Sequence, residues 1–113
     1  MAYDTQLAER ILRLLIQKKV KGLVEKKMFG GMAFMLNGNM CVGMHGDEMI
    51  VRLDPEDTEK ALSKPHVRIF DITGKPMAGW ILVGPKALAK DAELGKWIEV
   101  GVKFASSLPP KKK

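Results

Sequence analysis

Hydrophobic residues near the start of the chain recur at the spacing of one helix face. The apolar positions follow an i, i+4, i+7, i+8 pattern and are Leu7, Ile11, Leu14 and Leu15. Asp4 precedes them and is a suitable N-cap residue, since its carboxylate can accept hydrogen bonds from the free N–H groups of the first turn. The pattern predicts a helix that ends near residues 19–21, with Gly22 just past its last turn.

Between residues 31 and 53 the helical period gives way to alternating side chains and two tight turns. Asn37-Gly38 is the strongest short hairpin signal, because both residues tolerate the positive φ of a type I′ turn. Gly46-Asp47 is a second, weaker two-residue turn signal. The segment therefore predicts three antiparallel strands in a meander.

The two turns fix which side chains share a face of this meander. The predicted partners are Leu36–Asn39, Met35–Met40, Ala33–Val42, His45–Glu48, Met44–Met49, Val42–Val51 and Met40–Leu53. One face is then apolar and consists of Ala33, Met35, Met40, Val42, Met44, Met49, Val51 and Leu53. The other face is mixed and consists of Met32, Phe34, Leu36, Cys41, Gly43, His45, Glu48, Ile50 and Arg52. The apolar face predicts a core against helices, in which methionine fills irregular gaps.

The rest of the chain continues as helix, two strands and helix. Asp54-Pro55 starts a short helix that Lys64-Pro65 stops. The stretches VRIFDI and MAGWILVG are strands joined by the turn TGKP, and a last helix begins near Asp91. The order helix, three strands, helix, two strands, helix predicts an α+β fold with an antiparallel sheet of about five strands flanked by helices. We expect one domain over residues 1–108 and a basic tail over 109–113.

The mixed face is too apolar for open solvent and too polar for a core. Its candidate interaction residues are Phe34, Leu36, Cys41, His45, Ile50 and Arg52. If both long helices cover the apolar face, a protein partner or a second copy of the chain has to cover the mixed one, which favours a symmetric dimer. If one long helix crosses to the mixed face, the chain is a monomer.

Composition narrows the class of protein. The 113 residues are 46% hydrophobic and 28% charged, as in a folded globular domain. No apolar run reaches about 18 residues, and the first residues do not form a signal peptide, so we expect no membrane span. One cysteine cannot form an internal disulfide, and eight methionines favour a reducing compartment, so we expect a cytoplasmic protein.

Candidate chemistry is sparse. Six methionines, the only cysteine and a histidine lie within residues 28–49, which raises the question of a soft-metal site. The predicted register puts Cys41 and His45 opposite the apolar face, about 13 Å apart along one strand. The sequence also lacks a glycine-rich phosphate loop and a nucleophile elbow. We therefore expect no metal, no cofactor and no catalytic residues.

The net charge of +6 raises the question of nucleic acid. The basic cluster consists of Lys18, Lys19, Lys21, Lys26 and Lys27. One interpretation is a solvated face beside a helix end, where cations are favourable. The alternative is direct binding of nucleic acid through these lysines.

The stretch KKMFGGMAFMLNGNMCVGM resembles the opening of the TfoX N-terminal domain family, whose members begin with a helix followed by a Met-Phe-Gly-Gly hairpin. The stretches LSKPHVRIFDITGKPMAGWILV and LGKWIEVGVKFASSLPPK are similar to the short, single-domain branch of that bacterial family. The resemblance implies an antiparallel sheet flanked by helices, as in type III secretion chaperones. It also implies a link to natural competence, in which full-length TfoX (Sxy) promotes expression of DNA-uptake genes. From it we expect a non-enzymatic regulatory module that binds another protein.

Overall fold

The computed structural model describes residues 4–20, 22–28, 31–71, 74 and 78–108. The helices in these ranges are α1 (Thr5–Gln17), α2 (Thr58–Leu62) and α3 (Asp91–Ser107). The strands are β1 (Leu23–Met28), β2 (Gly31–Leu36), β3 (Asn39–His45), β4 (Glu48–Arg52), β5 (Val67–Ile69) and β6 (Trp80–Val83). Short 3₁₀ turns at Pro55–Asp57 and Pro85–Leu88 lead towards α2 and α3.

The strands form one antiparallel sheet in the order β1-β2-β3-β4-β6-β5. This confirms the predicted α+β class and places the second hairpin in the same sheet as the meander. The described part of the chain has six strands, however, and not about five. The missed strand is β1, an edge strand that carries Glu25, Lys26 and Lys27, all of them exposed. Charged side chains, especially lysine, are typical of edge strands. They interrupt the alternation of polar and apolar residues by which a strand is recognised in a sequence.

The predicted register is confirmed between β3 and β4 from His45–Glu48 to Val42–Val51, where the ladder ends before the predicted pair Met40–Leu53. Between β2 and β3 it is confirmed only next to the turn, for Leu36–Asn39 and Met35–Met40. Met44 pairs with Met49 and Met35 pairs with Met40, as expected. The pairing then shifts between Phe34 and Met35, so that Phe34 lies opposite Val42 and one extra residue, Cys41, is inserted in β3. A bulge of one residue reverses the faces of the strand beyond it. The predicted pair Ala33–Val42 is therefore replaced by Ala33–Gly43.

The bulge exchanges part of the two predicted faces. Phe34, Leu36 and Cys41, predicted on the mixed face, belong to the large core that contains the buried residues of α1 and α3. Ala33 and Met40, predicted on the apolar face, belong to a smaller core on the opposite side of the sheet. The expectation that methionines fill the helix-side core is confirmed for Met44 and Met49. Met40 is buried too, but not against helices.

Both long helices pack on the same side of the sheet. The large core joins Leu7, Ile11 and Leu15 of α1 to Leu94 and Ile98 of α3 and to the sheet side chains between them. The smaller core on the far side consists of Ala33, Met40, Ile50, Phe70 and Leu82, with Met35 and Trp80 packed against it. These five core residues are at most 2% exposed within the single chain.

Local signals set most of the helix and turn boundaries. Asp4 caps α1 and accepts from the N–H groups of Gln6 and Leu7 at 2.9 and 3.2 Å. The helix ends earlier than predicted, at Gln17, because Lys19 adopts a left-handed conformation with φ of 57°. The N–H groups of Lys19 and Val20 then close the helix end on the carbonyls of Ile16 and Leu15, so Gly22 is not the capping residue.

The predicted hairpin turn is confirmed. Asn37 and Gly38 have φ of 52° and 83°, as a type I′ turn requires. Gly46 has φ of 60°, whereas Asp47 is not among the residues of positive φ, which fits a type II′ turn.

The other predicted boundaries are confirmed in part. Asp54 caps the turn at Pro55–Asp57 by accepting from the N–H of Glu56 at 3.0 Å, and α3 begins at Asp91 as predicted. Most of the TGKP turn and the tail at 109–113 lie outside the described residues.

Candidate interaction surface

The six predicted interaction residues do not form one surface. Phe34, Leu36 and Cys41 are buried on the helix side of the sheet. Ile50 is buried on the far side, in the smaller core. Only His45 and Arg52 remain partly exposed, one at each end of the β3–β4 hairpin. The predicted patch is therefore divided between two cores and two isolated polar side chains.

The Cys41 thiol is enclosed in the large core. The residue is fully buried, and this burial raises the pKa of the thiol to about 12, because a thiolate would lose its hydration there. His45 follows Met44 in β3 and lies on the far side of the sheet, so the two side chains do not converge. Within the described residues, no three histidine, cysteine, aspartate or glutamate side chains are grouped as metal ligands would be.

The candidate nucleic-acid lysines are also dispersed. Lys18 donates to Glu99 on α3 at 2.8 Å, so part of its charge is already paired. Lys26 pairs with Ala33 and Lys27 with Met32, which places the two lysines on opposite faces of the edge strand. Lys19 is exposed at the end of α1, and Lys21 lies outside the described residues. The arrangement does not provide one continuous basic face.

A different group of side chains comes together around Arg52. Its guanidinium carbon lies 5.1 Å from the centre of the Trp80 ring and 5.4 Å from the centre of the Phe104 ring. Both distances fall within the range of a cation–π contact. We call Arg52, Trp80 and Phe104 the Arg52 cluster; all three side chains are partly exposed.

The sheet and α3 together build this cluster. Arg52 ends β4 and Trp80 begins β6, and the two are direct partners in the antiparallel ladder. Phe104 comes from the C-terminal half of α3. Phe70 supports Trp80 from the smaller core, with the two ring centres 5.6 Å apart. The arginine is thus held by residues from three separate elements.

The guanidinium of Arg52 has no anionic partner among the described residues, in contrast to two other arginines. Arg68 makes a two-pronged contact with Glu48, at 2.6 and 3.0 Å, which raises the pKa of Arg68. Arg10 contacts Asp91 at 2.9 Å and the carbonyl of Leu88 at 2.8 Å. The guanidinium of Arg52 has only the two ring contacts as specific interactions with the described residues, and partial burial lowers its pKa. No buried side-chain nitrogen of the described residues lacks a partner, so the N–H groups of Arg52 face solvent.

A cleft of about 390 Å³ adjoins the Arg52 cluster and shares Phe104 with it. It lies between the segment that follows β4 and the C-terminal half of α3. Its lining residues are Leu53, Asp54, Asp57, Val100, Lys103, Phe104 and Ser107. The lining thus combines apolar side chains with one cation and two carboxylates.

Sequence patterns identified only part of this site. Arg52 was a candidate because it falls on the mixed face, whereas Trp80 was placed only in the predicted strand MAGWILVG and in no site. Phe104 gave no signal, because an aromatic residue on a helix is usually part of a core. Only the crossing of α3 over the end of β4 brings it to the arginine.

Comparison with known protein families identifies the family of the chain. A family model described as the TfoX N-terminal domain matches residues 15–105, a range that includes all six described strands, α2 and most of α3, but only the last three residues of α1. Neither the curated proteins nor the solved structures include a significant match. In the described ranges, no helix combines the length and apolar character needed to cross a membrane.

Proposed function

The chain belongs to the TfoX N-terminal domain family, and on that premise we propose that it is a non-enzymatic regulatory module that acts by binding another protein. The family is associated with the regulation of competence in general. We assign the module to the bacterial cytoplasm, and its action requires neither a cofactor nor a metal. A likeness of the fold to type III secretion chaperones is part of the same proposal.

The Arg52 cluster is the observation that supports this function. Arginine and tryptophan are the residue types most enriched among the side chains that dominate binding energies at protein interfaces. Here they are partly exposed, held in place by neighbouring elements and next to a cleft. A site of this kind can bind a partner without a conformational change in the sheet.

Direct binding of nucleic acid is less well supported by the arrangement of charges. Phosphate backbones are bound by several cations along one surface. The candidate lysines instead lie on both faces of β1 and at the end of α1, and Lys18 is engaged by Glu99. The net charge of +6 then supports general electrostatic attraction better than it supports binding in a defined groove.

The experiment is affinity capture from an extract of the native cell, followed by mass spectrometry. We expect the wild-type chain to retain a specific protein that Phe104→Ala loses, because this change removes one wall of the Arg52 cluster. Lys96→Ala is the matched control, since Lys96 is exposed on the same helix. Both variants should unfold at nearly the same denaturant concentration as the wild type, which excludes a general loss of structure.

A titration with generic DNA and RNA at two salt concentrations tests the alternative. Nucleic-acid binding that weakens steeply with salt would support it and contradict our proposal. In cells, we expect deletion of the gene to lower the uptake of added DNA. The wild type and Lys96→Ala should restore uptake, whereas Phe104→Ala should not.

A further inference from the structure

We propose that the Arg52 cluster and its cleft recognise an acidic protein segment, in which one carboxylate binds the guanidinium of Arg52 and a neighbouring apolar side chain enters the cleft. This inference rests on the proposed function and specifies the chemistry of the partner.

The first support is the state of the Arg52 side chain. Two aromatic rings hold the guanidinium in place, and its N–H groups face solvent without an acceptor from the described residues. A guanidinium offers a planar fork of donors that matches the two oxygens of a carboxylate. Arg68 already makes such a two-pronged contact with Glu48 within the chain. Arg52 is held by two aromatic rings but has no carboxylate partner in the described part of the chain.

The second support is partial desolvation. Arg52 is half-buried, and this burial lowers its pKa because the cation has lost part of its hydration. A carboxylate that replaces the missing water interacts more strongly there than on an open surface, where the medium screens the pair.

The cleft specifies the rest of the segment. Leu53, Val100 and Phe104 provide an apolar lining that suits an aliphatic side chain beside the carboxylate. Lys103 adds a second cation to the lining. Asp54 and Asp57 also line the cleft, and they would repel a ligand with many negative charges. A segment with one acidic residue between apolar residues fits this lining better than a polyphosphate chain.

The test uses the full chain labelled with ¹⁵N and two synthetic peptides with blocked ends. One peptide has the sequence Gly-Leu-Glu-Leu-Gly, and the other carries glutamine in place of glutamate. The chain contains two tryptophans, Trp80 in the cluster and Trp97 in the large core, so the indole N–H signals report separately on the two places. We expect the glutamate peptide to shift the Trp80 signal in a saturable way and to leave the Trp97 signal unchanged.

The affinity for the peptide should depend on the negative charge of its glutamate and on the positive charge of Arg52. We expect the glutamine peptide to bind at least about tenfold more weakly, and Arg52→Gln to weaken the glutamate peptide by a similar factor. Arg52→Lys should be weaker than the wild type, because an ammonium lacks the planar fork. Arg13→Gln is the control, since Arg13 is an exposed arginine on α1, 3.5 Å from Asp91, and should bind the peptide like the wild type.

Several results would overturn the inference. These are equal binding of the two peptides, equal effects of Arg52→Gln and Arg13→Gln, and a Trp80 signal that does not saturate. Sodium acetate should displace the peptide at least as well as inorganic phosphate. Displacement by phosphate alone would mean that the site takes phosphate groups, which contradicts an acidic protein segment. If Arg52→Gln does not fold, Arg52→Lys and the acetate competition still test whether Arg52 binds a carboxylate.

The inference and the proposed function can fail separately. If the protein captured from the extract depends on Phe104 but is unaffected by Arg52→Gln, the proposed function stands and the carboxylate contact is wrong. If no captured protein depends on Phe104, the proposed function is wrong, whereas the peptide titration still measures the carboxylate contact.

Discussion

Gly101 lies where α3 approaches β3 closely. A Cβ atom at this position would lie 2.6 Å from the carbonyl oxygen of Cys41 and 2.6 Å from Cγ1 of Val42. Cys41 is the residue that the bulge inserts in β3, and Val42 follows it. Gly95, earlier in the same helix, has no heavy atom within 4 Å of the corresponding position. A comparison of the two glycines thus distinguishes the effect of close packing from the loss of stability that glycine causes in any helix.

For this pair we expect effects of opposite sign. Gly101→Ala should lower the free energy of unfolding by about 1–3 kcal/mol, because the backbone oxygen of Cys41 cannot move aside cheaply. Gly95→Ala should raise it by about 0.5–1 kcal/mol, since alanine reduces the entropy lost when the helix forms. Urea unfolding measures both, and two changes of the same sign would contradict the close approach at Gly101.

A second residue-scale prediction concerns the buried thiol. The pKa of Cys41 rises from its ordinary value of 9.0 to about 12 in the folded chain. Between these two values the unfolded chain loses the thiol proton and the folded chain keeps it. The contribution of Cys41 to stability is therefore complete below pH 9.0 and falls as the pH rises towards 12, by up to about 1.4 kcal/mol per pH unit.

The measurement compares urea unfolding of the wild type and of Cys41→Ala across this pH range. The alanine variant has no thiol to ionise, so it should be less sensitive to alkaline pH than the wild type. Parallel pH profiles for the two proteins would show that the thiol is not buried as described.

Among the elements, β1 shows how the sheet ends. It is a six-residue edge strand, and among the described strands β2 is its only neighbour. Its side chains include Lys26 and Lys27, which point to opposite faces, and an exposed Val24. Charges on both faces of an edge discourage pairing with strands of other molecules. This protective role explains the presence of Lys26 and Lys27, two of the five lysines of the basic cluster, without the need for a bound ligand.

Removal of these charges should expose the edge. We expect the double variant Lys26→Val, Lys27→Val to aggregate at concentrations at which the wild type stays dispersed, because valine favours strand pairing and adds no repulsion. Lys96→Val, on the exposed side of α3, serves as the control for a simple loss of positive charge. Light scattering measures the effect, and equal scattering from both variants would contradict a protective role of the edge lysines.

The two tight turns provide the next prediction at this scale. Gly38 has φ of 83°, whereas Asp47, the second residue of the other turn, is not among the residues of positive φ. We expect Gly38→Val to lower the free energy of unfolding by at least about 1–2 kcal/mol, since a β-branched residue resists the left-handed conformation. Asp47→Val should change it by no more than about 0.5 kcal/mol. Urea unfolding compares the two variants, and similar losses would mean that backbone conformation is not the cause.

For the molecule as a whole, the placement of the helices decides how the second face of the sheet is covered. Both long helices lie on one side, which is the arrangement that favoured a dimer in the sequence-based reasoning. The apolar residues on the far side are nevertheless buried within the single chain. Of the large hydrophobic side chains described, Ile16 and Val24 are exposed, and they belong to different elements. A second copy is therefore not needed to cover this face.

We accordingly expect a monomer of 12.6 kDa in sedimentation experiments at micromolar concentrations. The physical reason is that a stable dimer needs a contiguous apolar surface, and the far face provides little that is not already buried. A mass that rises towards twice this value with concentration would support the dimer instead. In that case, loss of association in an Ile16→Glu or Val24→Glu variant would locate the interface on α1 or β1.

The sequence by itself determined the features that depend on residues close together in the chain. Asp4, Asp54 and Asn37-Gly38 act through hydrogen bonds and backbone conformations within a few residues, and the structure has each of them in its predicted role. The helical period fixed the inward face of α1. These features depend on local geometry, so a single sequence is sufficient to predict them.

Tertiary structure decided what depends on distant residues. The bulge at Cys41 inserts one residue between apolar neighbours, and no local pattern distinguishes that register from a regular one. It moved Phe34, Leu36 and Cys41 from the predicted surface into the large core. The candidate site could not be predicted as a unit either, because Arg52, Trp80 and Phe104 lie far apart in the chain. They meet because β4 pairs with β6 and α3 crosses the end of β4, both of which are long-range contacts.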